Sequence, residues 1–177
     1  ARRNAELGAR LAGLPGLRLI QDNAIWKPPS GKALLCHQDA AYVEWLEPPN
    51  MTTCWMALDD TSADAGTIYY VRGSCHWPRF PVGGQFHAPD DWLAYVKEVQ
   101  PSGEELELVP IEVPAGGAAF HDGWTFHGSP PNERADRERR AIVSHMVSTE
   151  TCWADGAAPH PVYSRYRRPG ERELDEA

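Results

Sequence analysis

The sequence predicts an all-β jelly roll, or double-stranded β-helix, with a short N-terminal helix and a long aromatic-rich insertion. Three observations lead there. Seven or eight short β-rich stretches recur along the chain, bounded by Pro, Gly, Asn and Asp turns. Between them stands one short helical segment, too little to cover a parallel sheet. No internal repeat and no linker interrupts the pattern, so residues 1–177 read as one domain. At that length, with 42% hydrophobic residues, a core can form without disulfide staples.

In chain order, Leu7, Leu11 and Leu14 recur at helical spacing until Pro15-Gly16 stops them, predicting an amphipathic helix that packs. Leu17 to Trp26 reads as a strand ending in the Lys27-Pro28-Pro29-Ser30-Gly31 turn. A second strand is expected over Ala33 to Tyr42. Pro48-Pro49-Asn50 breaks the chain before the β-rich run Thr52 to Leu58, and the polar turn Asp59 to Gly66 precedes a strand from Thr67 to Val71. Arg72 to Gly103 then carries Trp77, Phe80, Phe86, His87, Trp92 and Tyr95 among turn residues. Asp90-Asp91 is placed to cap a helix from Trp92 to Val99. A long aromatic excursion of this kind either covers a site or forms a satellite hydrophobic cluster. Strands follow over Leu106 to Val113, Ala118 to Phe126 and Arg139 to Val147, and from Asp155 the chain turns polar and aperiodic.

Charge and composition exclude several classes. A net charge of −8 and the absence of any apolar run of roughly 18 residues argue against nucleic-acid and membrane partners. Cys36, Cys54, Cys75 and Cys152 form no CxxC pair and sit among apolar neighbours, which reads as reduced thiols in a cytoplasmic protein. The chain begins at Ala1 without Met and ends in a charged run, as a fragment would, so an upstream targeting signal would not be visible. There is no GxSxG, P-loop or Rossmann fingerprint.

The chemistry concentrates at His37-Gln38-Asp39 and, far along the chain, His127-Gly128-Ser129. Extended backbone sends residues i and i+2 to one side, so His37 and Asp39 share a face. With His127 they make two imidazoles and one carboxylate, the facial set that suits non-haem Fe(II) oxygenases. In a jelly roll, strands distant in sequence face each other across the barrel, which is how His127 is expected to reach the pair. By the same alternation His121-Asp122 points to opposite faces, so a structural role is expected there. His76, His87, His145 and His160 lack a spaced carboxylate and receive no metal. Arg134, Arg137, Arg139 and Arg140 cluster ahead of an apolar strand, where one guanidinium is suited to grip a carboxylate. Alternation puts Arg139 and Arg140 on opposite faces, both largely apolar, and does not choose between them.

The ordered motifs Lys27-Pro28-Pro29, His37-Gln38-Asp39, Trp55-Met56-Ala57-Leu58, Gly73-Ser74, His127-Gly128-Ser129 with Asn132, and Arg139-Arg140-Ala141-Ile142 resemble the phytanoyl-CoA dioxygenase family of Fe(II)/2-oxoglutarate enzymes. One departure is Arg72-Gly73-Ser74-Cys75-His76, a residue longer than the family's Pro-Gly-Ser-His. The resemblance implies a cupin-like jelly roll in which His37, Asp39 and His127 hold Fe(II). It also implies that Arg139 and Ser129 bind the distal carboxylate of 2-oxoglutarate, with Lys27 and Trp55 lining that pocket. The implied reaction is O2-dependent hydroxylation of a small organic molecule with release of succinate and CO2. Two other readings stand beside it: a cupin-type metal enzyme that does not use 2-oxoglutarate, and a jelly-roll binding module without chemistry.

Overall fold

Alternating apolar residues and frequent turn breakers leave the chain few ways to bury itself except as short antiparallel strands stacked in two layers. In the computed structural model, residues 2–158 are described. They form α1 (Arg2–Ala12), β1 (Leu17–Lys27), β2 (Leu34–His37), a 3-10 turn (Asp39–Tyr42), β3 (Leu46–Glu47), β4 (Met51–Ala57) and β5 (Tyr69–Val71). Then come α2 (Ala94–Val99), β6 (Leu108–Pro110), β7 (Ala118–Asp122), β8 (His127–Ser129), β9 (Arg139–Ser148) and β10 (Cys152–Trp153). One sheet has the order β1-β9-β4-β7 and the facing sheet β2-β8-β5-β6, with β10-β3 a separate pair. Every pairing is antiparallel and joins strands remote in sequence, as a jelly roll requires.

Register in the first sheet sets what faces the interior. Arg139 lies beside Lys27, Ala141 between Ile25 and Ala57, Val143 between Asn23 and Trp55, and His145 between Gln21 and Thr53. Trp55, Ala57, Ile68, Ala141 and Val143 form an apolar cluster there, and Trp45, Met51, Val147 and Trp153 form a second.

Three expectations change. Leu7 and Leu11 on α1 are exposed, and the helix packs through Gly8 and Ala9, whose small side chains let it approach β1 and β4 closely. The strand expected over 33–42 stops at His37. Beyond Gln38 the chain curls, with Ala41 N–H on Gln38 O at 3.3 Å and Ala40 N–H on Gly123 O at 2.9 Å replacing sheet bonds. The strand expected over 118–126 divides: Asp122 accepts Trp124 N–H at 2.8 Å through its side chain and Thr125 N–H at 2.9 Å through its carbonyl. That Asx turn carries the chain from one sheet to the other. The polar stretch expected from Asp155 lies, from residue 159 on, outside the described residues, as does His160.

Most of the aromatic excursion forms a hydrophobic cluster of its own. Trp77, Val96 and Phe126 form a buried cluster with Cys36 and Val71, joined by Phe80, Trp92 and Tyr95. Cys36 and Phe126 alternate with His37 and His127, so this cluster backs the β2-β8 sheet on the side away from the histidines. It also covers the edge of β2: Leu35 N–H bonds Phe86 O at 2.9 Å and Cys36 N–H bonds Trp92 O at 2.8 Å.

Candidate metal centre

His37 closes β2 and His127 opens β8, and the two are direct cross-strand partners with ring centroids 4.3 Å apart. They are hydrogen-bonded neighbours in one sheet, where the sequence suggested strands facing across the barrel. The Nδ1 of His37 lies 2.8 Å from Leu35 O, and that of His127 lies 2.9 Å from Thr125 O. A carbonyl only accepts, so each Nδ1 carries a proton, and each Nε2 is the nitrogen turned away from the backbone. Gln38 has extended backbone (φ −114°, ψ 125°), which returns Asp39 to the side of His37 although the strand has ended. The Gln38 amide points the other way and donates to Trp124 O at 2.7 Å. Asp39 Oδ1 lies 3.3 Å from His37 Nε2 and 3.3 Å from His127 Nε2. The three candidate ligand atoms fall within 4.8 Å of one another.

The second carboxylate oxygen has its own partners. Thr53 Oγ1 donates to Asp39 Oδ2 at 2.7 Å, His121 Nε2 lies 3.1 Å from it and His145 Nδ1 3.3 Å. Burial alone would raise the Asp39 pKa, but the His127 charge and hydrogen bonds from His121, His127 and His145 outweigh it and hold the group well below the usual carboxylate range. Burial lowers His37, and lowers His121 to about 4, with His127 adding to both effects. For His127 the Asp39 carboxylate overcomes burial and raises it. An ionised carboxylate beside two imidazoles that turn Nε2 toward it is the donor set a ferrous ion accepts, with any Nε2 proton released on binding, so the residues present fit the metal.

Beside this cluster lies a pocket with an excess of positive charge. Arg139 is 1% exposed and Lys27 3%. The guanidinium donates through Nε and Nη2 to Gly66 O at 3.2 and 2.9 Å, with its Cζ 5.6 Å from the Trp55 ring centroid. Lys27 Nζ donates to Ser129 Oγ at 2.7 Å and to Pro130 O. Burial, with Arg139 nearby, pushes Lys27 down to about 7, and burial brings Arg139 to about 10. Among the described residues neither cation has a carboxylate partner. Two buried positive charges without an acid are costly unless a ligand supplies the negative charge, which is the fit expected of a dicarboxylate. Gly66 is built for this corner. It has φ +66°, and a Cβ there would lie 2.8 Å from Lys27 Cδ. Asn132 touches no ligand atom: its amide donates to Pro28 O at 2.9 Å and Arg137 O at 2.7 Å, tying the segment after β8 to the turn after β1.

The family model for phytanoyl-CoA dioxygenase (PhyH) matches residues 6–141. The chain belongs to this family. A phytanoyl-CoA dioxygenase of Arabidopsis thaliana is 28% identical over 153 residues, covering 82% of the chain and 52% of the relative. The chain thus spans about half the length of that relative. Among solved structures, the non-heme alpha ketoglutarate dependent carbocyclase SnoK from nogalamycin biosynthesis superposes with a TM-score of 0.71 at 25% identity, over 96% of this chain and 64% of that one. The epimerase SnoN, solved with Fe3+, alpha ketoglutarate and nogalamycin RO, has a TM-score of 0.71 at 22% identity, over 91% of this chain and 65% of that one.

In this member of the phytanoyl-CoA dioxygenase family, His37, Asp39 and His127 meet at one point, and Arg139, Lys27, Ser129 and Trp55 meet beside it. Arg140 faces outward, held by Asp59 at 2.6 and 3.0 Å. Sequence reasoning missed His121, His145 and Thr53. His145 carried a usable signal, because it shares the face of Arg139 two-by-two along β9. The missed signal for His121 lay in pairing: it stands directly opposite Thr53. Of the aromatic excursion, Phe86 and His87 line the cavity, whereas Trp77 and Trp92 do not.

Proposed function

We propose that the chain is a non-haem Fe(II), 2-oxoglutarate-dependent dioxygenase that hydroxylates a small organic molecule. The observation that carries this reading is a His-Asp-His cluster, Asp39 and His127 buried and His37 partly so, adjoining two buried cations that have no carboxylate partner among the described residues. His37 and His127 offer Nε2 and Asp39 offers Oδ1. Fe(II) held there supplies the redox chemistry that couples O2 reduction to decarboxylation of 2-oxoglutarate, giving succinate and CO2, and to oxidation of a C–H bond. Arg139 grips the distal carboxylate of 2-oxoglutarate, Lys27 and Ser129 add donors to it, and Trp55 walls the pocket. Phe86 and Tyr42 pack around the His37 ring, at 4.8 and 5.8 Å between centroids, and restrict water on the open side.

Metal cluster, co-substrate corner and substrate space share one cavity of about 960 Å3. Ile20, Ile25, Met51, Val143, Tyr42 and Phe86 line it, which favours an uncharged, largely apolar molecule over a highly anionic one. SnoN is an epimerase and SnoK a carbocyclase on the same fold, so the fold leaves the substrate open. No helix among the described residues is long and apolar enough to cross a membrane.

Anaerobic addition of Fe(II) and 2-oxoglutarate tests the reading, with a weak visible charge-transfer band as the expected result. Metal binding without the band would favour the cupin-type alternative, and binding of neither would leave a non-catalytic module.

A further inference from the structure

The inner face of the β1-β9-β4-β7 sheet carries a polar row at one level. Register places Gln21 beside His145, His145 beside Thr53, and Thr53 beside His121. Three of these side chains converge on one atom, Asp39 Oδ2, at 2.7 Å for Thr53, 3.1 Å for His121 and 3.3 Å for His145. The other oxygen, Oδ1, faces the Nε2 atoms of His37 and His127, each at 3.3 Å. The carboxylate is therefore divided between two sets of partners.

Behind His121 stands Tyr70, with its hydroxyl 3.0 Å from His121 Nδ1 and the two rings 4.9 Å apart. An ionised carboxylate accepts only, so His121 Nε2 must carry the ring proton it directs at Oδ2. Nδ1 is then bare, and the Tyr70 hydroxyl donates to it. The chain of donors runs one way, from Tyr70 through His121 to Asp39, and Tyr70 selects the tautomer that makes His121 a donor. The His121 side chain is 2% exposed, so no solvent competes for either nitrogen.

We infer that the Tyr70–His121 pair is a positioning device for the metal ligand Asp39, locking Oδ2 so that only Oδ1 is offered to the ion. The inference rests on the reading of Asp39 as an iron ligand. Its chemical purpose is vacancy. A facial triad leaves three positions for co-substrate and O2, and a carboxylate free to bind through both oxygens would take one of them. Outer partners of metal ligands typically alter affinity 10- to 100-fold when removed. His121 is thus a positioning residue, acting on the ion through Asp39.

The test uses Mn(II) affinity by electron paramagnetic resonance, and the visible spectrum of the Co(II)-loaded protein as a report on coordination number. His121→Leu is expected to weaken Mn(II) binding about 10- to 100-fold and to change the Co(II) spectrum, because Oδ2 loses its His121 donor and is held by Thr53 and His145 alone. His121→Gln, which keeps an N–H donor, is expected to restore most of the affinity and the wild-type spectrum. Tyr70→Phe, which deletes one hydroxyl, is expected to cost about threefold to tenfold, the worth of one hydrogen bond. Wild-type affinity and spectrum in both His121→Leu and Tyr70→Phe would overturn the inference. If His121→Leu does not fold, Tyr70→Phe and His121→Gln decide it by the same two readings. Failure of the wild-type chain to bind Mn(II) or Co(II) at all would instead overturn the reading of the site as a metal centre.

Discussion

Arg139 and Arg140 are adjacent in sequence and opposite in circumstance. Arg139 is a buried cation on a backbone carbonyl and an indole face, while Arg140 is half exposed and satisfied by Asp59. Removing one partner of a buried charged contact costs about 2–5 kcal/mol, roughly 30-fold to several thousand-fold in affinity. Arg139→Ala should therefore weaken 2-oxoglutarate binding by that range and leave Fe(II) affinity nearly intact. Arg140→Ala loses an exposed pair worth about 0–1 kcal/mol of stability and should leave co-substrate affinity unchanged. Titrating the charge-transfer band in each variant separates them, and the opposite ranking would move the role to Arg140. At the metal itself, Asp39→Ala leaves two imidazoles and should abolish hydroxylation together with tight iron binding; full turnover in that variant would remove Asp39 from the ligand set.

At the scale of elements, the site depends on how closely β8 lies on β2. A Cβ on Gly128 would stand 2.8 Å from both Cα and N of Cys36, atoms that move only if the strand moves. Gly128→Ala should wedge the strands apart, lower stability by about 1–3 kcal/mol as overpacking does, and separate His127 from His37. Urea unfolding and Mn(II) titration would register both effects, and a variant that binds Mn(II) normally would show that the strands adapt. The excursion after β5 divides into two parts with different expected phenotypes. Phe86 sits against the His37 ring, so Phe86→Ala should reduce substrate-dependent succinate formation more than co-substrate binding. Trp77 packs on Phe126 behind the sheet, so Trp77→Ala should cost about 3–5 kcal/mol of stability while folded molecules keep their turnover. Equal turnover defects per folded molecule would contradict that division.

For the molecule as a whole, the acid-free Lys27–Arg139 corner links stability to pH. Lys27 has a folded-state pKa of about 7 against an ordinary 10.5, so between those values the unfolded chain holds a proton that the folded chain has released. Stability of the ligand-free protein should then rise with pH across that window and gain no slope from this group below about 7. Melts at pH 6.5, 8 and 9.5 should show the slope in wild type and its loss in Lys27→Met; identical slopes would mean that Lys27 keeps its proton. Bound 2-oxoglutarate should flatten the slope by restoring that proton. The sequence by itself determined what is local. Extended backbone has a period of two, so the shared face of His37 and Asp39 followed from their spacing and held even where the strand gave way at Gln38. Turn chemistry likewise marked β1, β4 and β9 to within a residue or so. Tertiary structure decided what depends on neighbours brought from elsewhere in the chain. Apolar residues follow both arginines at alternate positions along β9, so no alternation could say whether Arg139 or Arg140 looks inward. The alternation that separates His121 from Asp122 is real, but it says nothing of Thr53 and Asp39, which reach His121 only through cross-strand register and the turn after β2. Aromatic content marked the excursion, yet which rings face the cavity follows from how its edge bonds seat on β2. Register and sheet order are set by the sum of packing across the barrel, and no short stretch of sequence carries that sum.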